Sequence, residues 1–95
     1  MTINTACSSS IAALHTAKEA LLAKRCQYAF VGASNIIDND LRFRSYKEMG
    51  ILSQVLPYRA FSSESSGFVP GEGGVVVLLT TCEKATEEGI PIYGI

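Results

Sequence analysis

Two short runs, Tyr28-Ala29-Phe30-Val31-Gly32 and Gly74-Val75-Val76-Val77-Leu78-Leu79, are apolar at consecutive positions, not alternate ones. Alternation belongs to a strand with one face in water, whereas a continuous apolar run belongs to a strand covered on both faces, as in central α/β sheets. Ile90 to Ile95 reads as the beginning of a third such strand. The intervening segments are helical in pattern. From Ile11 to Arg25 the residues are good helix formers, with Leu14, Ala17 and Leu21 on one face and His15, Lys18 and Arg25 on another. Most of the remainder is Ala and Leu, so this helix is expected to be largely buried. Leu41 to Met49 predicts a short helix ended by Gly50, and Thr81 to Glu88 another, stopped by Gly89. Asn35 to Asp40 is a polar turn, and Ser53 to Gly74, rich in serine and glycine and holding two prolines, reads as irregular. Three strands and about three helices within 95 residues cannot supply both covers of a sheet. The chain also stops in the last strand, so it is expected to be part of a larger layered α/β domain, without internal repeat or second domain.

Charge and cysteine usage narrow the function. A net charge of −1 provides no electrostatic footprint for nucleic acid or an anionic membrane. The longest apolar run, Val75 to Leu79, is far short of the ~20 residues a spanning helix needs. No basic segment followed by an apolar one opens the chain, so no secretory leader is expected. The three cysteines, Cys7, Cys26 and Cys82, are odd in number and contain no CxxC. That fits neither a disulfide framework nor a zinc site, and a reduced, cytoplasmic protein without bound metal or cofactor is expected.

Cys7 has the most informative surroundings. A strand-like opening, Thr2 to Ala6, runs into Cys7-Ser8-Ser9-Ser10, whose hydroxyls are N-cap candidates for the helix that follows. A cysteine at such a junction lies where unpaired backbone N–H groups and the positive end of the helix dipole converge. This favours the thiolate, which is the nucleophile, and the same N–H groups can hold an oxyanion. Position alone leaves the residue open between a nucleophile and a small buried hydrophobe. His15, the one histidine, lies eight residues further on, roughly 12 Å of helical rise, too far to act as its base. The serines have no G-x-S-x-G elbow. Gly71-Glu72-Gly73-Gly74 precedes its strand and lacks the Gly-Lys-Ser/Thr of a phosphate loop, so tight turns are expected there. Cys26 and Cys82 read as packing residues.

Thr5-Ala6-Cys7-Ser8-Ser9-Ser10 resembles the TACSSS active-site motif of the β-ketoacyl synthases. The resemblance continues in order along the whole chain. Cys26 to Gly32 is similar to the family's cysteine-led strand, and Asn35 to its following asparagine. Met49-Gly50-Ile51-Leu52-Ser53 resembles "GMLS", Arg59-Ala60-Phe61 resembles "(R/K)AF", and Gly67-Phe68-Val69-Pro70-Gly71-Glu72-Gly73 resembles "GFVxGEG". Ile92-Tyr93 near the end is matched too, and Pro70 is most similar to the residue found in synthases of modular bacterial polyketide lines whose acyltransferase acts in trans.

The resemblance implies a thiolase-like layered α/β/α fold, here an incomplete N-terminal half, in an enzyme that is usually a homodimer. It implies that Cys7 takes an acyl group from the phosphopantetheine of an acyl carrier protein. The carbanion of a decarboxylated malonyl-type extender then attacks that thioester, with two histidines and a lysine of the other half assisting. Phe43 matches an aromatic near the family's acyl channel, a core role being the alternative. Asn4, Pro57-Tyr58, Ser62 and Ser66 depart from the common pattern and bear on loop electrostatics and subfamily. Two other readings remain: a non-catalytic, chain-length-controlling subunit, which characteristically lacks the cysteine, and an inert truncated product. A thiolase or chalcone-synthase-like enzyme fits less well, because GFVxGEG belongs to carrier-dependent synthases.

Overall fold

The computed structural model describes all 95 residues. A single 3-10 turn, Ala6–Ser8, leads into α1 (Ser9–Leu22), followed by β1 (Ala29–Asn35), α2 (Leu41–Glu48), β2 (Gly73–Leu79) and α3 (Cys82–Glu87). The two strands pair with each other and form the whole sheet. Thr80 Oγ1 donates to the Gln27 carbonyl at 2.7 Å, at the start of β1 and the end of β2, while Gly32 in mid-strand lies against Val75 and Val76. Advancing along β1 therefore means retreating along β2, and the pair is antiparallel.

The chain forms two compact units, one of Met1–Ala33 with Gly74–Ile95, the other of Ser34–Gly73. The first contains the buried core, which is Leu21 of α1, Val31 of β1 and Ala85 of α3. Local chemistry sets its helix ends. The Thr81 hydroxyl accepts the Lys84 N–H at 3.2 Å and caps α3. Beyond α3, Gly89 turns left-handed at φ 66°, and the Ile90 N–H reaches back to the Ala85 carbonyl at 2.9 Å. Lys24 serves the same purpose after α1 at φ 54°. At this same end of α3, the Glu88 carboxylate receives the Tyr28 hydroxyl and, at 2.7 Å, the Lys84 ammonium, tying the approach to β1 to α3.

In the second unit α2 ends as expected at Gly50, left-handed at φ 67°. The chain then lies beside the Gly67-Phe68 stretch through a parallel bridge between Leu52 and Phe68. The Phe68 N–H donates to the Ile51 carbonyl at 3.0 Å and the Ser53 N–H to the Phe68 carbonyl at 2.9 Å. At Gly67, φ is 142°, and a β-carbon would stand 2.6 Å from the Ile51 carbonyl oxygen, so only glycine fits this approach. The Tyr46 ring meets Phe68 edge-on at 5.2 Å.

Three expectations need correction. Thr2 to Ala6 and Ile90 to Ile95 form no strands, because a strand persists only where a neighbour completes its backbone hydrogen bonds, and β1 and β2 pair with each other alone. As expected from the count of elements, neither strand is covered on both faces: β2 is exposed from Gly73 to Leu78, and in β1 only Val31 is buried. The third correction is α1, which buries Leu21 alone, although His15, Lys18 and Arg25 do face solvent. The apolar pattern specifies layers that these 95 residues do not themselves provide.

The Tyr28–Glu88–Lys84 cluster gives the first unit a defined pH response. Hydrogen bonds from Lys84 and Tyr28 hold the Glu88 carboxyl below its ordinary 4.5, so its contribution is present above that value and lost as pH falls through the lowered one. The same carboxylate raises Lys84 above 10.5 and Tyr28 above 10.0, and those contributions are lost as pH rises through the raised values. Urea midpoints of parent and Glu88→Gln should therefore differ at neutral pH and converge in acid below the carboxyl range. A constant difference across the whole pH range would contradict the assignment.

Candidate active site

Cys7 is the middle residue of the 3-10 turn and is exposed. The residue before it, Ala6, is left-handed at φ 57°, a conformation that costs a non-glycine residue on the order of 1–2 kcal/mol. Side chains on either side hold this bend. Asn4 Oδ1 accepts the Ala6 N–H at 3.1 Å, and Ser9 Oγ accepts the Thr5 N–H at 2.9 Å. Ser9 Oγ in turn donates to the Ala6 carbonyl at 2.6 Å. Ser8 Oγ donates to the Thr5 carbonyl at 2.9 Å and lies 2.9 Å from Thr5 Oγ1. Strain of this kind survives only where surrounding bonds over-determine it, and five hydrogen bonds within six residues do so here.

This arrangement corrects the expected role of the serines. Ser8 occupies the N-cap position of α1 but makes no side-chain capping bond. The hydroxyls reach back to tie the bend and do not accept from the helix, so no cap side chain occupies the first-turn N–H groups beside Cys7. No acidic residue stands in that first turn either. Cys82 is a useful contrast. It too is exposed and opens a helix, contrary to the expectation of a packing residue, because it is the first residue of α3 and projects from its end. There, however, Thr81 caps the helix and Glu83 places a carboxylate in its first turn. Cys26 is half-buried and lines a cavity of about 530 Å³ with Leu21, Gln27, Thr81, Lys84 and Glu87. His15 is exposed on α1. Phe43 lies on α2 in the other unit and is 39% exposed. No group of three His, Cys, Asp or Glu side chains could hold a metal ion, and no helix is long and apolar enough to cross a membrane.

The profile of the β-ketoacyl synthase N-terminal domain matches residues 1–85. The chain belongs to the β-ketoacyl synthase family.

Its relatives among curated proteins include polyketide synthases. It is 38% identical over 95 residues to Probable polyketide synthase 2 of Dictyostelium discoideum, covering 100% of this chain and 3% of that protein. It is 37% identical over 95 residues to Polyketide synthase ThaG of Burkholderia thailandensis, covering 100% of this chain and 2% of that one. Among solved structures, the ketosynthase from module 6 of the bacillaene synthase of Bacillus subtilis 168 superposes with a TM-score of 0.83 at 36% identity, over 90% of this chain and 16% of that chain. The oxazolomycin ketosynthase domain from Streptomyces albus JA3453 does so with a TM-score of 0.83 at 34% identity, over 94% of this chain and 16% of that one. The chain thus spans about a sixth of a ketosynthase structure, and the layered thiolase-like α/β fold expected from its motifs is that of its structural neighbours.

Reading the synthase motifs as letters missed two physical features. One is the left-handed Ala6, whose only sequence signal is a small residue ahead of the cysteine. The other is that Glu72, assigned with its glycines to tight turns, directs its carboxylate to the Ile37 N–H.

The bend at Ala6 has a simple test. Ala6→Val puts a β-branched side chain in the left-handed region and should lower stability by about 1–3 kcal/mol. Ala6→Gly should stay within about 1 kcal/mol of the parent, relief of strain being offset by a freer unfolded chain. Thermal unfolding of the synthase domain carrying each change separates them, and equal melting temperatures for the two variants would refute the left-handed geometry.

Proposed function

We propose that these residues are part of the N-terminal domain, with no second domain among them, of a polyketide-building β-ketoacyl synthase in which Cys7 is the acyl-accepting nucleophile. The observation that carries this reading is the exposed sulfur beside a helix start that neither a capping side chain nor a first-turn carboxylate occupies. The Cys7 thiolate attacks the thioester carbonyl of an acyl group borne on the phosphopantetheine of an acyl carrier protein. The first-turn N–H groups hold the resulting oxyanion. The carbonyl re-forms as the pantetheine thiolate leaves, and the acyl group stays on Sγ.

In the second half-reaction a malonyl-type extender on the carrier loses carbon dioxide, and the electrons of the broken bond form a carbanion. That carbon attacks the Cys7 thioester, a carbon–carbon bond forms, the carbon–sulfur bond breaks and the thiolate is restored. Phe43 is a contact for the acyl chain. Histidines and a lysine beyond these residues assist the decarboxylation, and the complete enzyme acts as a cytoplasmic homodimer. Chemistry of this kind needs two histidines, and the one present, His15, lies on the exposed side of α1.

Loading the complete synthase with an acyl-pantetheine mimic, digesting it and locating the adduct tests the nucleophile. Acylation should fall on the peptide containing Thr5-Ala6-Cys7 and disappear in Cys7→Ala, while Cys26→Ala and Cys82→Ala acylate normally. An adduct on Cys82 would overturn the contrast between the two helix starts.

The 95 residues alone should yield no β-ketoacyl product when mixed with acyl- and malonyl-carrier protein and followed by mass spectrometry. Turnover by this chain unaided would contradict the need for the absent histidines.

A further inference from the structure

The second unit, Ser34–Gly73, contains no buried residue. Regions with little apolar burial lie at the low end of a protein's local stability and open without the rest of the fold. What holds this unit shut is concentrated at its neck, where the chain leaves β1 and returns to β2. Two hydrogen bonds cross there in opposite senses. Asn35, the last residue of β1, sends Nδ2 to the Gly71 carbonyl at 2.5 Å. Glu72, the residue before β2, takes the Ile37 N–H on its carboxylate. Each bond joins a side chain of one segment to the backbone of the other, so both depend on the same approach of the two segments. Asn35 also reaches into the unit, because its Oδ1 accepts Arg42 Nη1 at 3.0 Å in the first turn of α2. An asparagine amide donates and accepts at once, which a carboxylate cannot do.

We propose that Asn35 and Glu72 form a latch that sets how often residues 36–70 open as one unit, independently of the first unit's core. Beyond the neck the unit has few long-range ties. These are the Leu52–Phe68 bridge with its two main-chain bonds and the edge-on contact of Tyr46 with Phe68. Both run through Phe68, on the returning segment that Gly71 and Glu72 anchor. Losing either neck bond lets the two segments part and leaves the other bond without its partner, so the pair acts as one device. The buried core consists of Leu21, Val31 and Ala85, none of which belongs to this unit, and it stays intact when the neck opens.

Native-state hydrogen exchange of the complete synthase tests the latch, read at peptides holding Ser53 and Phe68 and at those of α3. Asn35→Ala and Glu72→Ala should each speed exchange at Ser53 and Phe68 by about tenfold, the factor one hydrogen bond typically contributes to an equilibrium. The Ala85 and Ile90 amides should be unchanged. Asn35→Asp keeps an acceptor for Arg42 but loses the donor to Gly71, and should match Asn35→Ala. Glu72→Gln keeps an acceptor for Ile37 and should stay near the parent. Protection supplied by the rest of the synthase enters every variant alike. The double variant Asn35→Ala, Glu72→Ala should exchange about as fast as either single one, since the first loss already disables the second bond. A multiplied effect of about a hundredfold means two independent contacts and overturns the latch. Faster exchange confined to Ile37, an equal rise in α3, or no change in any variant overturns it as well.

Discussion

The antiparallel pairing of β1 with β2 is the constraint on which the other elements depend. It joins residues separated by an excursion of about forty residues, and closing a flexible loop of that length costs roughly 3 kcal/mol beyond a constant. Ladder bonds alone make an isolated two-stranded pair marginal, so the closure needs reinforcement at its ends. One end has Thr80 on the Gln27 carbonyl and the Tyr28–Glu88–Lys84 cluster. Toward the other lie Asn35 on Gly71 and Glu72 on Ile37. Polar side chains do this work because apolar burial is scarce: the buried core is three residues, and Phe30, Val75, Val76 and Leu78 remain open to solvent.

That exposure explains which sequence signals translated into structure. Signals that act within one turn of chain were legible. The Gly50 and Gly89 stops, the α2 and α3 segments and the two valine- and phenylalanine-bearing strands appear where local pattern placed them. Signals that need a distant partner were not. Thr2 to Ala6 and Ile90 to Ile95 have strand composition, but composition cannot supply the neighbouring ladder, and both are irregular. Continuous apolar runs imply strands meant for two covers. They could not report that α1 and α3 bury only Leu21 and Ala85 between them. The chain's span of 16% of each ketosynthase neighbour is the same finding expressed as length.

At the candidate site, residue types were legible and their division of labour was not. A serine-rich start after Cys7 satisfies every sequence rule for capping, and capping was the natural expectation. The left-handed Ala6 changes the outcome by bringing the Thr5 and Ala6 carbonyls within reach of the Ser8 and Ser9 hydroxyls. Once those hydroxyls point back into the bend, they cannot also serve the helix. The helix start is left to bind charge from elsewhere, whereas α3, with an extended Thr81 at φ −74° and ψ 150°, is capped in the usual way. The two exposed cysteines at helix starts therefore differ in what occupies the helix end beside them.

The GFVxGEG stretch shows how a motif can be read as mechanics. Gly67 is glycine because a β-carbon would collide with the Ile51–Leu52 backbone. Phe68 gives both main-chain groups to that same segment and its ring to Tyr46. Gly71 offers its carbonyl to Asn35, and Glu72 offers its carboxylate to Ile37. Each of these positions meets either the end of β1 and the residues after it or α2 and the residues after it, so the motif works as the seam of the second unit. At this seam Gly67 alone is held to glycine by its close backbone approach, since a β-carbon at Gly71 or Gly73 would meet open space, while the helix the seam holds has no buried side chain.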